Sequence, residues 1–126
     1  MPLAYAARRA AFRTLSLRVD ERVLIPRPET ELLVELILDA TRGGSGIAVD
    51  IGTGSGAIAL ALAAEGRFER VIATDISADA LEVAELNRDR LAADRAATVS
   101  FLHGDAVAPL RAAGIRASVV VSNPPY

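Results

Sequence analysis

Two short segments of this chain place reactive groups at spacings that can do chemistry. One is Asn123-Pro124-Pro125-Tyr126, which follows the apolar run Val119-Val120-Val121-Ser122. The two prolines donate no backbone hydrogen bond, and the first restricts Asn123 to extended geometry. Such a corner presents one carboxamide, one exposed carbonyl and one aromatic ring at fixed positions, which is a way to hold a planar NH2 group. The Asn123 side-chain oxygen can accept one N–H and the Pro124 carbonyl the other, so that the nitrogen lone pair faces one direction. The same acceptors stabilise positive charge as it grows on nitrogen. Tyr126 can stack on a planar amide or base. This is catalysis by positioning, and it needs no group of shifted pKa. The structural alternative is a proline turn that caps an edge strand.

The second segment is Asp50-Ile51-Gly52-Thr53-Gly54-Ser55-Gly56. Its glycines allow a tight turn and close approach of a ligand to the backbone. The nicotinamide fingerprint is spaced differently, and Ala57 stands where its third glycine is expected. G-x-G-x-G after an acidic residue resembles the loop usual in S-adenosylmethionine-dependent methyltransferases, which favours that cofactor over a simple β-α turn. Asp75, about 20 residues on, is placed for a carboxylate to accept both ribose hydroxyls. Ile76 can pack on an adenine face. Asp105, in Gly104-Asp105-Ala106, can accept from the adenine amino group, with Ala106 at the ring edge. Each has a plainer alternative: Asp75 as a helix-entry carboxylate next to Ser77, Asp105 as a turn aspartate, Ile76 as core. His103 reads as a turn or core hydrogen-bonding residue without a catalytic role.

The surrounding pattern supplies elements to position these groups. From Ile47 the chain alternates strand and helix: strands at 47–51, 71–74, 99–102 and 119–122, with helices at about 55–65, 77–91 and 107–113 between them. Gly66 reads as a C-terminal cap, Ser77 as an N-cap with Asp79 in the first turn behind it. This alternation predicts an α/β fold with a parallel sheet and right-handed crossovers. Ligands on such sheets sit beyond the carboxyl ends of the strands, where Asp50, the glycines, Asp75, Asp105 and Asn123 all fall. Before the sheet, Pro28, Glu29 and Glu31 suit a helix start, and Leu32, Leu33, Leu36 and Ile37 form an apolar stripe to about Ala40. Residues 1–26 read as a β-hairpin preamble, with Phe12, Leu15, Leu17 and Val19 in one arm, Val23-Leu24-Ile25 in the other and Asp20-Glu21-Arg22 as the turn.

Composition narrows the choices. The chain has 126 residues, a length for one domain. It has no cysteine and one histidine, so disulfides and cysteine-metal sites are excluded, and no metal site is expected. Most pairings of a nucleophile with a base go unsupported. A formal net charge of -2 with no long basic run argues against a nucleic-acid partner. The longest apolar stretch, Ala57 to Ala64, is too short for a membrane span. The cytoplasm fits these features.

Three motifs in order resemble one family. Asn-Pro-Pro-Tyr after a strand resembles the methyltransferases that act on glutamine or adenine nitrogen. Val23-Leu24-Ile25-Pro26-Arg27-Pro28-Glu29-Thr30-Glu31 and Asp50 through Ala59 are similar to segments of the HemK/PrmC family, the peptide chain release factor glutamine methyltransferases. The resemblance implies a Rossmann-like class I fold, with strands in the order 3-2-1-4. It also implies methyl transfer from S-adenosylmethionine to the glutamine side-chain nitrogen of a Gly-Gly-Gln loop in a release factor. It puts Gly52, Thr53, Gly54, Ser55, Gly56, Asp75, Ala106 and Asn123 on cofactor positions. Asn123, Pro124, Pro125 and Tyr126 fall on the glutamine pocket, and Arg27 and Thr30 close over it. The alternatives are an N6-adenine methyltransferase, a ribosomal-protein glutamine methyltransferase and an inactive cofactor-binding fragment. Against the family pattern, residues 27–126 read as a partial catalytic domain without the helical N-terminal domain and the later strands. The fourth strand then becomes an exposed edge open to self-association.

Overall fold

A computed structural model describes residues 8–105 and 108–122. Strands β1 (Arg9–Phe12) and β2 (Leu15–Arg18) form an antiparallel hairpin, followed by helix α1 (Pro28–Ala40). Strand β3 (Ile47–Ile51), helix α2 (Ala57–Glu65), strand β4 (Arg70–Asp75) and helix α3 (Ala78–Arg88) come next. The one-turn helix α4 (Ala93–Ala96), strand β5 (Val99–His103), helix α5 (Ala108–Ala113) and strand β6 (Val119–Ser122) complete the described residues. The main sheet is parallel, in the order β5-β4-β3-β6. Numbered within the sheet alone, that is the 3-2-1-4 order the family resemblance implies.

Period-two alternation divides the sheet's side chains between two layers. Ala48, Val71 and Ala73 join Ile58, Leu60 and Leu62 of α2, Val34 and Ile37 of α1, and Phe12 and Leu17 of the hairpin in one core. Val49 and Ile72 face the other way, onto Leu110 of α5. Helix α2 is apolar around its whole circumference, and Ala57 through Ala63 are all buried. A helix of that composition has to be covered on every side, and α2 lies against the sheet, α1, α3 and α4.

The hairpin departs from its predicted register. The chain reverses at Arg13, with φ +52°, rather than at Asp20-Glu21-Arg22. Residues 23–25 form no strand. The Asp20 carboxylate instead accepts from the Arg22 backbone N–H (3.0 Å) and guanidinium (2.7 Å), and Val19 and Val23 pack on Ala80 and Val83 of α3. Asp20-Glu21-Arg22 does form a turn, closed by the Val23 N–H donating to the Asp20 carbonyl at 3.1 Å, but it leads onto α3 and not into a second strand. The stripe of α1 is also rotated. Thr30, Val34 and Ile37 are buried, while Leu32 and Leu36 are more than half exposed.

Gly66 ends α2 with extended backbone, not in the left-handed cap. A Cβ there would lie 2.7 Å from the Leu62 carbonyl oxygen. Helix α3 stops at Arg88, short of the predicted Leu91, and α4 was not expected. Strand β6 pairs with β3 and ends the sheet among the described residues; Val121 is buried and Val120 is half exposed.

Candidate functional site

The carboxyl ends of β3 and β4 are joined by backbone bonds from the glycine loop. Gly52 and Thr53 N–H groups both donate to the Thr74 carbonyl at 2.9 Å. Gly52, Gly54 and Gly56 have φ of +75°, +56° and +88°, a region costly for any residue with a Cβ. A Cβ at Gly52 or Gly54 would meet nothing within 4 Å, so these two glycines border open space. At Gly56 it would press on Leu60 at 3.2 Å and Ala84 at 3.3 Å. The first two glycines therefore keep a surface clear, and the third lets α3 approach the loop.

Asp50 lies beneath this loop and is 2% exposed. Its carboxylate accepts the Thr53 hydroxyl at 2.7 Å and the Ala59 backbone N–H. Ala59 is in the first turn of α2, whose N-cap Gly56 has no side chain to offer. Asp50 thus satisfies an N–H that the helix itself leaves unpaired. Burial pushes its pKa up to about 7, outweighing the bonds from Thr53 and Ala59, and the nearby Asp75 carboxylate pushes the same way.

Asp75 ends β4 and reaches back to the loop. Its Oδ2 accepts from Gly54 N–H and its Oδ1 from Ser77 N–H, both at 2.9 Å. Each oxygen keeps a further lone pair. Ser77 also caps α3, its hydroxyl accepting from Ala80 N–H at 3.1 Å. Ile76 is 68% exposed beside these groups. His103 Nε2 donates to the Ile76 carbonyl at 2.8 Å, a turn-type bond that fixes the backbone at Ile76.

These residues line one open cleft of about 1500 Å³. Asp50, Gly52, Thr53, Gly54, Ser55, Asp75, Ile76 and Asp105 line it together with Arg27 and Thr30, at the start of α1. Arg27 is exposed and paired with Glu29 at 3.1 Å, whereas Thr30 is buried. Gly56 is the loop residue that does not line the cleft; it serves the packing beneath. Ser122, the last residue of β6, also lines it. The expected site residues Ala106, Asn123, Pro124, Pro125 and Tyr126 lie outside the described residues.

The sequence reading missed Arg22 and Val23 as cleft residues. It also missed Asn87, which is 3% exposed and donates to the Ser55 carbonyl at 2.8 Å. The available signal was a polar residue on the otherwise apolar Ala80, Leu81, Val83, Ala84 side of α3.

A cleft with a clear glycine floor and a carboxylate at the end of the adjacent strand suits a nucleoside. Comparison with known proteins agrees. The family model described as "Methyltransferase small domain" matches residues 28–126. A release factor glutamine methyltransferase of Bacillus subtilis is 43% identical over 131 residues, covering 100% of this chain and 44% of that protein. One from Vibrio cholerae is 45% identical over 125 residues, covering 99% and 42%. The chain thus spans less than half the length of these relatives. Among solved structures, a human methyltransferase 10 domain containing protein superposes with a TM-score of 0.69 at 20% identity, covering 89% of this chain and 55% of that one. At that identity the likeness is one of fold.

Proposed function

We propose, from the premise that this chain belongs to the methyltransferase small domain family, that it methylates a glutamine side-chain nitrogen in the Gly-Gly-Gln motif of a peptide chain release factor. The methyl donor in this reading is S-adenosylmethionine. The observation that carries it is the adjacency of the open Gly52–Gly54 floor and the Asp75 carboxylate in one cleft. The relatives' similarity over the whole chain supports the substrate class.

The residues present fit the cofactor. Gly52 and Gly54 leave space that any side chain would fill. Asp75 retains lone pairs for two ribose hydroxyls, and Ile76 offers an exposed apolar surface to a base. Asp105 follows β5 and lines the same cleft, and Ala106 is next in sequence. Bound there, the cofactor supplies an electrophilic sulfonium methyl. The protein's part is to hold the nucleophile. An amide nitrogen is poorly nucleophilic because its lone pair is delocalised into the carbonyl. Asn123 Oδ1 and the Pro124 carbonyl accept hydrogen bonds from its two N–H groups, one of which gives up its proton to solvent once the nitrogen is methylated; Tyr126 stacks on its plane, and Pro125 stiffens the corner. Arg27 and Thr30 line the cleft where the substrate loop enters. A release-factor substrate assigns the reaction to the cytoplasm. No helix among the described residues is long and apolar enough to cross a membrane.

The test is transfer of label from methyl-labelled S-adenosylmethionine to a Gly-Gly-Gln peptide, with an adenine-containing oligonucleotide as competitor. Label on the glutamine nitrogen is expected. Label on the oligonucleotide, or on neither, contradicts the reading. Asn123→Ala should slow transfer about 100-fold or more, with cofactor affinity changed by no more than about threefold.

A further inference from the structure

We propose that Asn87 is a positioning residue for the cofactor loop, clamping the loop and the hairpin to helix α3 through one carboxamide. This rests on the methyl-transfer reading only for the identity of the molecule that the loop binds. Every hydrogen-bonding group of that side chain is engaged. Oδ1 accepts from the Arg18 backbone N–H at 2.7 Å. Nδ2 donates to the Arg18 carbonyl at 3.1 Å and to the Ser55 carbonyl at 2.8 Å. Toward β2 the carboxamide takes the place of another strand's peptide group, accepting and donating at the same residue. Its remaining N–H is spent on the loop.

The loop bond is directional. The Ser55 carbonyl and the Gly56 N–H belong to one planar peptide unit. The carbonyl accepts from Asn87, and the N–H donates to the Thr53 carbonyl at 2.9 Å. That peptide is therefore held from both sides, which fixes the αL backbone of Gly56 that follows. Helix α3 touches the loop a second time at Ala84, one turn from Asn87, where only glycine fits at position 56.

Arg18 leads directly into the Arg22–Val23 segment. Asp20, 4% exposed, pairs with Arg22 at 2.7 Å, and Arg22 reaches Glu82 of α3 at 3.2 Å. Arg22 and Val23 then line the cleft. The glycine loop and the Arg22–Val23 segment are thus both referred to α3, the loop and Arg18 at Asn87, and Arg22 and Val23 about one to two turns away at Glu82, Ala80 and Val83.

The experiment uses Asn87→Asp and Asn87→Ala in the purified protein. Asparate at this position accepts from Arg18 but, ionised, cannot donate to either carbonyl; alanine removes all three bonds. Hydrogen exchange without cofactor should show the Gly56 amide exchanging about tenfold faster or more in both variants. The β4 amides of Ile72 and Ala73 should keep wild-type protection. Calorimetry with S-adenosylhomocysteine should give a Kd raised about tenfold or more. In turnover, KM for the cofactor should rise while kcat stays within about threefold. Unchanged Gly56 exchange, or equal loss of protection at Gly56 and in β4, overturns the proposal, the second outcome making Asn87 a general stability residue. If the wild-type protein binds no S-adenosylhomocysteine, the proposed function fails, and the exchange comparison still decides the role of Asn87.

Discussion

The hairpin is fastened to the rest of the molecule at two ends, by different means. At its turn, Arg13 gathers charged partners. Its guanidinium meets Glu35 at 2.7 Å and Glu65 at 2.6 Å, and its backbone N–H donates to Glu31 at 2.6 Å. The Glu65 and Glu35 carboxylates hold its pKa above the usual guanidinium range. At the open end, the fastening is the neutral Asn87 carboxamide, almost fully buried. Glu35 is about half exposed, so part of the Arg13 cluster sees water and salt. The Asn87 bonds carry no charge, and the one to Ser55 is buried. The charged fastening tolerates movement of its partners, whereas the buried one fixes a peptide orientation. The fixed one lies next to the cofactor loop.

The comparison is tested most severely by removing each fastening in turn. Asn87→Leu strands an N–H and two carbonyls in the interior and should cost about 3 kcal/mol or more in urea unfolding. Arg13→Leu should cost about 1 kcal/mol, shrinking as sodium chloride rises, while the Asn87 loss should not depend on salt. Equal and equally salt-sensitive losses would erase the distinction.

A smaller effect separates buried from exposed groups by pH. The Asp50 pKa is raised above its unfolded value of 3.8 to about 7. The folded state therefore binds this proton more tightly than the unfolded state. The resulting stabilisation is complete below about pH 4 and is lost as pH climbs through about 7. Asp50→Asn keeps an acceptor for the Ala59 N–H and cannot ionise. Compared with this variant, the wild type should lose stability between about pH 4 and 7 and change little above that, read as the difference in thermal midpoints. A constant difference would mean that Asp50 stays in one charge state throughout.

The smallest change concerns a cap at the cleft's edge. Ser77→Ala removes the bond to Ala80 N–H and should cost about 1 kcal/mol, measured by denaturant midpoint. Asp75 still accepts from the position-77 N–H, so the loop bond to Gly54 should survive. Cofactor affinity should then change far less than in the Asn87 variants.

Much of this arrangement was legible in the sequence because it depends on local chemistry. Apolar runs ending at Asp50 and Asp75 mark the two central strands, and the alternation of elements gives their parallel order. Pro28 and Ser77 mark helix starts where they occur. The hairpin register was not legible, because its turn uses Arg13 at positive φ, a conformation that its distant carboxylate partners help hold. Asp20 to Arg22 do form a turn, but its local bonds look the same before a strand and before a segment packed on α3. The exposed Leu32 and Leu36 show that a helix's apolar residues outnumber those its neighbours cover. Asn87 was hidden because its partners lie 69 and 32 residues away in the chain. Of the candidate site, the glycine floor and Asp75 could be read from spacing, whereas the Arg22–Val23 segment depends on tertiary packing.

If the Gly52–Gly54 floor and Asp75 hold one nucleoside cofactor, a crystal structure of the protein with S-adenosylhomocysteine should show it. Both ribose hydroxyls should lie within hydrogen-bond distance of the Asp75 carboxylate, with the amino-acid tail over Gly52 and Gly54. A nucleoside bound elsewhere, with Asp75 still bonded only to Gly54 and Ser77, would contradict it.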